Sequence, residues 1–565
     1  MDSNTVLSCI KDDIRGVSYG RFPGLTEEEN LQCAALAKQL LVAKVFSKLR
    51  PQAGCNAVAD DAAIAKFRDV NNRSCQFDIG QRRTFEWEEE LFGTFVQRVR
   101  KFFLPHEERP ILLGLEQFLH SGSLGSGSNL GALGTDFYTK LFSSDLGVTS
   151  VSLYDAYRTW TRRSPTWRDA EDTRVELGYG TAMYDASRMT TVPKNDAISR
   201  VIGVEPSLNM FYQLGLGSVL RKRLKSAFGI DISNQADKNR ELARKGSIDD
   251  SNVTIDLESA SDSVSLSLVK HVVPKGQYAF LEMLRTDHAA LPSGERVRLG
   301  MLSMMGNGFT FPFQTMIFSC MVSASFEYLG YGTPRADDGG WGVFGDDIVC
   351  PRTVSRAVLR LLDICGFVIN ESKTFVEGPF RESCGGDYYL GHNIRPVYIK
   401  QLATQEARFT VINQLVEWSA KTGIPLFKAL RLIQTRTKWN PVPIHAGHDA
   451  GIRVPINLAT GLRRSRNGSY IATFHEARGR KLLVEENTVG APRGEKPRRY
   501  NASGLLLTAL QGGWSKGGIG IRSDTLRYRH RQVVCPNWHA AYDFPSGMDG
   551  WQHWIDAATA VLTPR

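Results

Sequence analysis

The stretch WGVFGDDIVC, residues 341–350, sets two carboxylates, Asp346 and Asp347, side by side inside an apolar run. Each raises the cost of ionising the other, so the pair either closes a surface turn or has its repulsion offset by a cation. A third acid comes from SNVTIDLESASDSVSLSLV, residues 251–269. There Val253, Ile255 and Leu257 alternate with Thr254 and Asp256, so Asp256 leaves a strand end on its polar side. If the three carboxylates converge, they suit Mg²⁺, which takes oxygen ligands and shares one or two carboxylates with substrate phosphates. Two such ions about 3.5–4 Å apart serve an in-line displacement, here attack of a ribose 3′-hydroxyl with pyrophosphate leaving. The repulsion between the acids is then the source of metal affinity.

The elements that must position these acids are legible around them. Gly345-Asp346 fits the Gly-X type II′ hairpin turn between the apolar runs 341–344 and 348–350. Val354, Val358, Leu361, Leu362 and Cys365 recur at helical spacing, Gly366 is placed as a C-cap, and 367–369 starts another strand. From 253 to 376 the order is strand, helix, insertion, hairpin, helix, strand. This predicts an α+β fold with a ferredoxin-like β-α-β-β-α-β unit, its first strand beside the hairpin. Residues 259–263 read as a loop with a helix start, where Asp262 is either a cap, the commoner role, or a ligand.

A chain of 565 residues supports several subdomains. Its 69 basic against 59 acidic residues, a formal charge of +10, modestly favour a polyanionic partner. The nine cysteines are scattered, with no CxxC or Cys/His ligand spacing, which reads as a reducing compartment without structural zinc. The start MDSNTVLSCIKDD lacks the pattern of a signal peptide. Residues 299–326 carry no formal charge, yet Gly306-Asn307-Gly308, Pro312 and Gln314 predict a buried loop plus helix in a soluble protein, not a membrane span. HSGSLGSGSNLGALG (120–134) lacks the ending of a phosphate-binding P-loop and predicts a flexible loop or linker. Beyond about 400 the chain reads as helical and then basic. Arg463, Arg464, Arg466, Arg478, Arg480, Lys481, Arg493, Lys496, Arg498 and Arg499 fall in loop-like sequence, as a solvated or an RNA-contacting surface.

The joint pattern is that of a known family. TIDLESASDSVS, SMMGNGFTFPFQTMIF, FGDDIVCP and KTFVEGPFRESCGGDYYLG resemble the palm of the replicase catalytic (beta) subunit of positive-strand RNA bacteriophages, the levivirus or Qβ type. VPKNDAISRVIGVEPSLNMFYQLGLGSVLRKRLKSAFGIDISNQ (192–235) is similar to the same family's fingers motif. The resemblance is dense from about 190 to 400. It implies a right-hand polymerase: 1–250 mainly fingers with an N-terminal helical region, 251–400 palm with an inserted fingers segment at about 275–300, and 401–565 thumb with a basic C-terminal region.

The resemblance assigns roles. Asp256, Asp346 and Asp347 would hold two Mg²⁺, with Mn²⁺ able to substitute. Lys194 and Arg200 would grip the incoming triphosphate. Asp262 and Asn307, with Gly306, would sense the ribose 2′-hydroxyl. Lys373 would be the general acid for pyrophosphate, or a plain surface lysine, and 381–385 the loop under the growing 3′ end. Met305-Gly306 leads to Thr310 and Gln314, where many eukaryotic virus polymerases read Ser-Gly-x3-Thr-x3-Asn. Arg221, Lys222, Arg223 and Lys225 would line a template or nucleotide entrance, or else form a solvated helix face. Arg352, Arg356 and Arg360 read as solvated, while RYRHR (527–531) suits single-stranded RNA. The activity implied is RNA-dependent RNA polymerisation, started without a primer, on a phage genome in the cytoplasm of an infected bacterium. The implied partners are template and nascent RNA, nucleoside triphosphates, host elongation factors Tu and Ts, and a host ribosomal RNA-binding protein for some templates, with no membrane. A reverse transcriptase shares the palm, and a non-catalytic RNA-binding protein could use the same sheet.

Overall fold

The computed structural model describes residues 2–49, 56–105, 109–195, 197–482, 500–515, 518–521, 526–539 and 547–563. Arg493, Lys496, Arg498 and Arg499 lie outside these, as do the side chains of Arg480 and Lys481.

The strand Asn252–Ile255 pairs antiparallel with Asp347–Pro351, which pairs in turn with Gly342–Phe344. On its other edge, Leu257–Glu258 pairs antiparallel with Val368–Ile369, and Thr254 bridges Phe375. The first strand in sequence is therefore central, between the hairpin and the last strand. The helix Arg352–Ile364 buries Val354, Val358, Leu361 and Leu362. It stops where Gly366, at φ +83°, enters the left-handed region; a Cβ there would lie 2.5 Å from the Phe77 ring. The helix Thr310–Tyr328 is buried from Pro312 to Phe326, as an interior helix must be when apolar on every side. Among the described residues, no helix is long and apolar enough to cross a membrane. The eight described cysteines form no disulfide.

The insertion after the first strand joins another sheet. His288–Ala290 pairs parallel with Ser187–Pro193, completing the four-stranded order Ser199–Val204, Ser187–Pro193, His288–Ala290, Arg296–Arg298.

The apolar cores join stretches far apart in sequence. One core runs from Ile79 to Phe367 and takes in Leu507 and Ile519 from the last part of the chain. The other joins residues from Val6 to Val45 to residues from Ile394 to Leu562. The Arg21 N–H donates to the Thr422 carbonyl at 2.6 Å, and that of Ile399 to the Val45 carbonyl at 2.7 Å. The apolar faces of Ser3–Ile14 and Glu27–Lys44 thus pack with the C-terminal helices Gln405–Thr422 and Phe427–Thr435.

Three local expectations also change. The glycine-rich stretch is tied down rather than free: the Leu130 N–H donates to the Glu205 carbonyl, the Ser207 N–H to that of Leu130, and buried Lys140 to that of Gly125 at 2.6 Å. Arg463 and Arg464 form a strand against Tyr470–Arg478 instead of a loop. That strand forms a ribbon with Arg527–Cys535, which carries RYRHR; there Arg529 and Arg531 both pair with Glu476. Ser265, not Asp262, caps the helix Leu266–Val272, its hydroxyl accepting from the Leu268 N–H at 3.1 Å.

Buried Glu205 behind the glycine loop sets a pH dependence. Its carboxylate accepts from Gln213 at 3.2 Å and Thr286 at 3.4 Å, and burial pushes its pKa from 4.5 to about 7. A carboxyl whose folded pKa is raised contributes most below its unfolded value, and that contribution is lost as pH rises toward the folded value. Relative to Glu205→Gln, the native chain is therefore expected to lose stability between pH 4.5 and 7, at about 1.4 kcal/mol per pH unit as an upper limit. Melting both proteins across that range checks it; parallel curves contradict it.

Candidate active site

Phe344 pairs with Asp347 across a two-residue loop. Gly345 has φ +63° while Asp346 stays out of the left-handed region, as a II′ turn requires. Only glycine fits: a Cβ would lie 2.5 Å from the Phe311 ring. Two helices hold the turn. The Gly345 N–H donates to Thr315 Oγ1 at 3.1 Å, and the Thr315 hydroxyl donates to the Phe311 carbonyl at 2.9 Å. From Gln235–Asp249, Asn239 donates to the Asp347 carbonyl at 3.1 Å.

The three carboxylates have different surroundings. Asp346 is exposed at the tip, with no hydrogen-bond partner among the described residues. Asp347 is half-buried, and its Oδ1 accepts from the Cys384 N–H at 3.0 Å and the Ser383 hydroxyl at 3.4 Å. Burial raises its pKa, Asp346 and Asp256 add to that, and the Cys384 N–H opposes it. Asp256 accepts from Asn370 at 2.7 Å and lies 3.6 Å from the Lys373 ammonium. Burial raises its pKa as well, with Lys373 and Asn370 opposing and Asp346 adding.

Adjacent strands thus bring the acids within electrostatic reach, but their side chains do not converge. Among the described residues, no group of three or more His, Cys, Asp or Glu is arranged to hold a metal ion. Asp256 turns to Asn370 and Lys373, Asp347 to the hairpin beyond it. The donor set still fits a hard divalent cation, because every donor is a carboxylate oxygen and two of the three are half-buried beside like charge.

Cations face these acids. Lys194 lies in the loop after Ser187–Pro193, and Arg200 pairs with Val192 in the same hairpin. Partial burial lowers the Lys194 pKa, as do Arg200 and Lys373, while Asp256 and Asp346 raise it. Lys194, Arg200, Lys373, Asp256 and Asp346 therefore share one electrostatic neighbourhood.

The loop at Gly306 packs against the strand Ser199–Val204. Gly306 has φ +110°, and a Cβ there would lie 2.4 Å from the Gly203 carbonyl, whose residue donates its N–H to Met305 O at 2.8 Å. Asn307 is buried; its Oδ1 accepts from the Phe309 N–H at 3.0 Å, and its Nδ2 has no hydrogen-bond partner among the described residues. Burial pushes Asp262 up to about 6 against a hydrogen bond from the Met305 main chain, so Asp262 adjoins this loop.

Other expected residues have structural partners. Residues 381–385 are not a loop but part of the hairpin Phe380–Ser383 and Gly386–Tyr389. Arg381 is fully buried, donating to the carbonyls of Asn252 at 2.6 Å and of Gly378 and Phe380 at 2.7 Å, and pairing with Asp250. Arg221 and Lys222 are exposed, but Arg223 donates to the Phe102 carbonyl at 3.0 Å and Lys225 pairs with Asp231 at 2.7 Å. Arg352 pairs with Asp250 and Glu377, and Arg360 with Glu88. Sequence reasoning missed Thr315, Asn239, Asn370 and Cys384, which hold the turn and its acids; nothing in their local pattern points to Gly345, Asp256 or Asp347.

The family model for RNA replicase, beta-chain, matches residues 34–449. The chain belongs to that family. It is 34% identical over 367 residues to the RNA-directed RNA polymerase beta chain of Escherichia phage MS2, covering 64% of each. It is 39% identical over 272 residues to the RNA-directed RNA polymerase subunit beta of Escherichia virus Qbeta, covering 47% of this chain and 45% of that one. Each match spans less than two thirds of the relative's own length. Among solved structures, the RNA-dependent RNA polymerase of a human picorbirnavirus aligns with a TM-score of 0.42 at 11% identity, covering 77% of this chain and 88% of that one.

Thr315→Val removes the acceptor for a buried N–H and is expected to destabilise the chain by about 1–3 kcal/mol. Thr315→Ser keeps the hydroxyl and should recover most of that loss. Urea unfolding of the two variants separates hydroxyl from volume; equal losses would contradict the anchoring role.

Proposed function

We propose that this chain is a template-directed RNA polymerase that copies a single-stranded phage RNA by two-metal nucleotidyl transfer, starting without a primer. The observation that carries the reading is the Lys373 ammonium 3.6 Å from Asp256 beside the Asp346–Asp347 hairpin tip, with Lys194 in electrostatic reach of Asp256 and Asp346. A central first strand between hairpin and last strand supports a ferredoxin-like palm. The sheet of Ser187–Pro193, Ser199–Val204 and the 288–298 insertion supports fingers, and the helices after Thr404 support a thumb.

Asp256, Asp346 and Asp347 would hold two Mg²⁺, or Mn²⁺ in their place. Bound there, the ions would activate the attacking 3′-hydroxyl and take up charge on the leaving oxygen. Lys194 and Arg200 bind and neutralise the triphosphate, fixed positive charge being most effective where phosphoryl charge develops. Lys373 donates a proton to the departing pyrophosphate. The unpartnered Nδ2 of Asn307, with Asp262 beside its loop, suits a ribose 2′-hydroxyl, since a buried donor without an acceptor marks a place for one. Arg221 and Lys222, exposed on one helix end, offer contacts to RNA phosphates. Family resemblance adds host elongation factors Tu and Ts and a ribosomal RNA-binding protein as partners, and the bacterial cytoplasm as the place of action.

Labelled nucleotide incorporation on a single-stranded RNA template tests the proposal, using the chain purified from bacteria with any host subunits it retains. Ribonucleotide incorporation dependent on Mg²⁺, falling about 100-fold or more in Asp346→Asn, is the expected result. Equal incorporation by both proteins contradicts the site. Preference for deoxyribonucleotides would instead identify a reverse transcriptase.

A further inference from the structure

Beside the carboxylate site, four separate stretches crowd positive charge together. Lys44 and Lys48 come from the end of Glu27–Lys44 and the turn after it, and Lys194 from the hairpin loop. Arg395 and Lys400 follow His392–Asn393, and Lys421 lies in Gln405–Thr422. The junction is fixed by the Ile399 N–H on the Val45 carbonyl at 2.7 Å and by Asn195 Nδ2 on the Ser47 carbonyl at 2.8 Å. Tyr398 is the platform: the Lys48 ammonium lies 3.9 Å and the Arg395 guanidinium 5.1 Å from its ring centroid. Lys48 has Arg395, Lys400 and Lys194 as repelling neighbours, which add to burial in lowering its pKa.

The protein supplies too little negative charge here. Glu382 lies 3.7 Å from Lys44, and Asp387 lies 3.7 Å from Arg395. Asp387 is fully buried, and among the described residues neither of its oxygens has a hydrogen-bond partner; it orients Arg395 from below and is out of reach of a ligand. Lys44 has Glu382, Lys421 has Glu417, and Lys194 has Asp256 and Asp346 as neighbours, so that among the described residues Lys48, Arg395 and Lys400 share Asp387. Lys421 is spent on Asn393 Oδ1 and the Arg395 carbonyl, both at 3.3 Å, which fixes the segment bearing Arg395. Lys400 is exposed and Lys48 half-exposed, so these two stay accessible. Arg395 also packs over the turn at Gly385, where a Cβ would lie 3.1 Å from its terminal nitrogens. That turn follows Cys384, whose N–H holds Asp347. The cluster is therefore one hairpin turn away from the reacting carboxylates.

We propose that Lys48 and Arg395, gathered on Tyr398, form with neighbouring Lys400 a second phosphate-binding site, distinct from the grip of Lys194 and Arg200. Its ligand chemistry is the phosphate oxyanion, which this local excess of positive charge attracts and the Arg395 fork can hydrogen-bond. Two sources fit: the polyphosphate tail of a nucleoside triphosphate, or the backbone of a nascent strand leaving the carboxylates. The identity of these sources rests on the polymerase reading, whereas the anion site itself does not.

The test needs no catalysis. The full chain, without divalent metal, is titrated calorimetrically with inorganic tripolyphosphate and, by fluorescence anisotropy, with a 5′-hydroxyl RNA decamer. Native protein is compared with K48Q/K400Q and with the charge-preserving K48R/K400R, each checked by thermal melting. Affinity should fall about tenfold or more in K48Q/K400Q and recover in K48R/K400R. A loss for tripolyphosphate identifies the nucleotide tail as the source, and a loss for RNA identifies the strand backbone. Unchanged affinity for both ligands in a folded K48Q/K400Q, or in the exposed single variant K400Q if the double variant melts, overturns the site. Because nothing is polymerised, that failure leaves the polymerase proposal standing, and an inactive polymerase leaves the anion site standing.

Discussion

The constraint on which the site depends is the repulsion between Asp346 and Asp347, imposed by a turn that cannot separate them. Gly345 is forced into the left-handed region, Phe311 closes off any side chain there, and Thr315 and Asn239 pin the main chain on both sides. The fold spends its hydrogen bonds on the backbone of the turn and, among the described residues, gives the tip carboxylate no hydrogen-bond partner. Asp347 and Asp256 are steadied by Cys384, Ser383 and Asn370, each far away in sequence. The acids are thus held near one another but aimed apart, an arrangement that a divalent cation would close.

Charge of the opposite sign is distributed around this tip in two groups. Lys373 pairs with Asp256, and Lys194 is an electrostatic neighbour of Asp256, Asp346 and Arg200. Lys48, Arg395 and Lys400 stand one hairpin turn away, with Lys194 an electrostatic neighbour of both groups. This ordering suits a polyanion that passes the carboxylates. It also explains why the N-terminal helices belong to the second core: packed against the C-terminal helices, they bring Lys44 and Lys48 to the same junction.

The part of the site set by local rules was legible in the sequence. Alternation placed Asp256 at a strand end, Gly-Asp placed the II′ tip, and Gly366 closed the helix that leads to the last strand. What was not legible depends on long-range packing. An N-terminal helical region could be expected from the sequence, but not that its helices pack with the C-terminal ones, because that contact joins residues far apart in the chain. Glycine content in 120–134 suggested freedom, yet Glu205, Ser207 and Lys140 tie that stretch down. Residues 381–385 read as a loop under a growing 3′ end because burial of Arg381, made tolerable by four carbonyls and Asp250, leaves no local signature. Strand periodicity fixed the side of the sheet Asp256 occupies, but not the direction its carboxylate turns.

The central claim is that these three carboxylates form one cation site despite their separate partners. Mn²⁺ titration of the full chain, followed by the electron paramagnetic resonance signal of free ion, tests this directly. Native protein should take up Mn²⁺, and Asp256→Asn and Asp346→Asn should each lose most of that uptake, although one residue lies on the strand and the other on the turn. Uptake unchanged in both variants would mean that the pair only closes a turn.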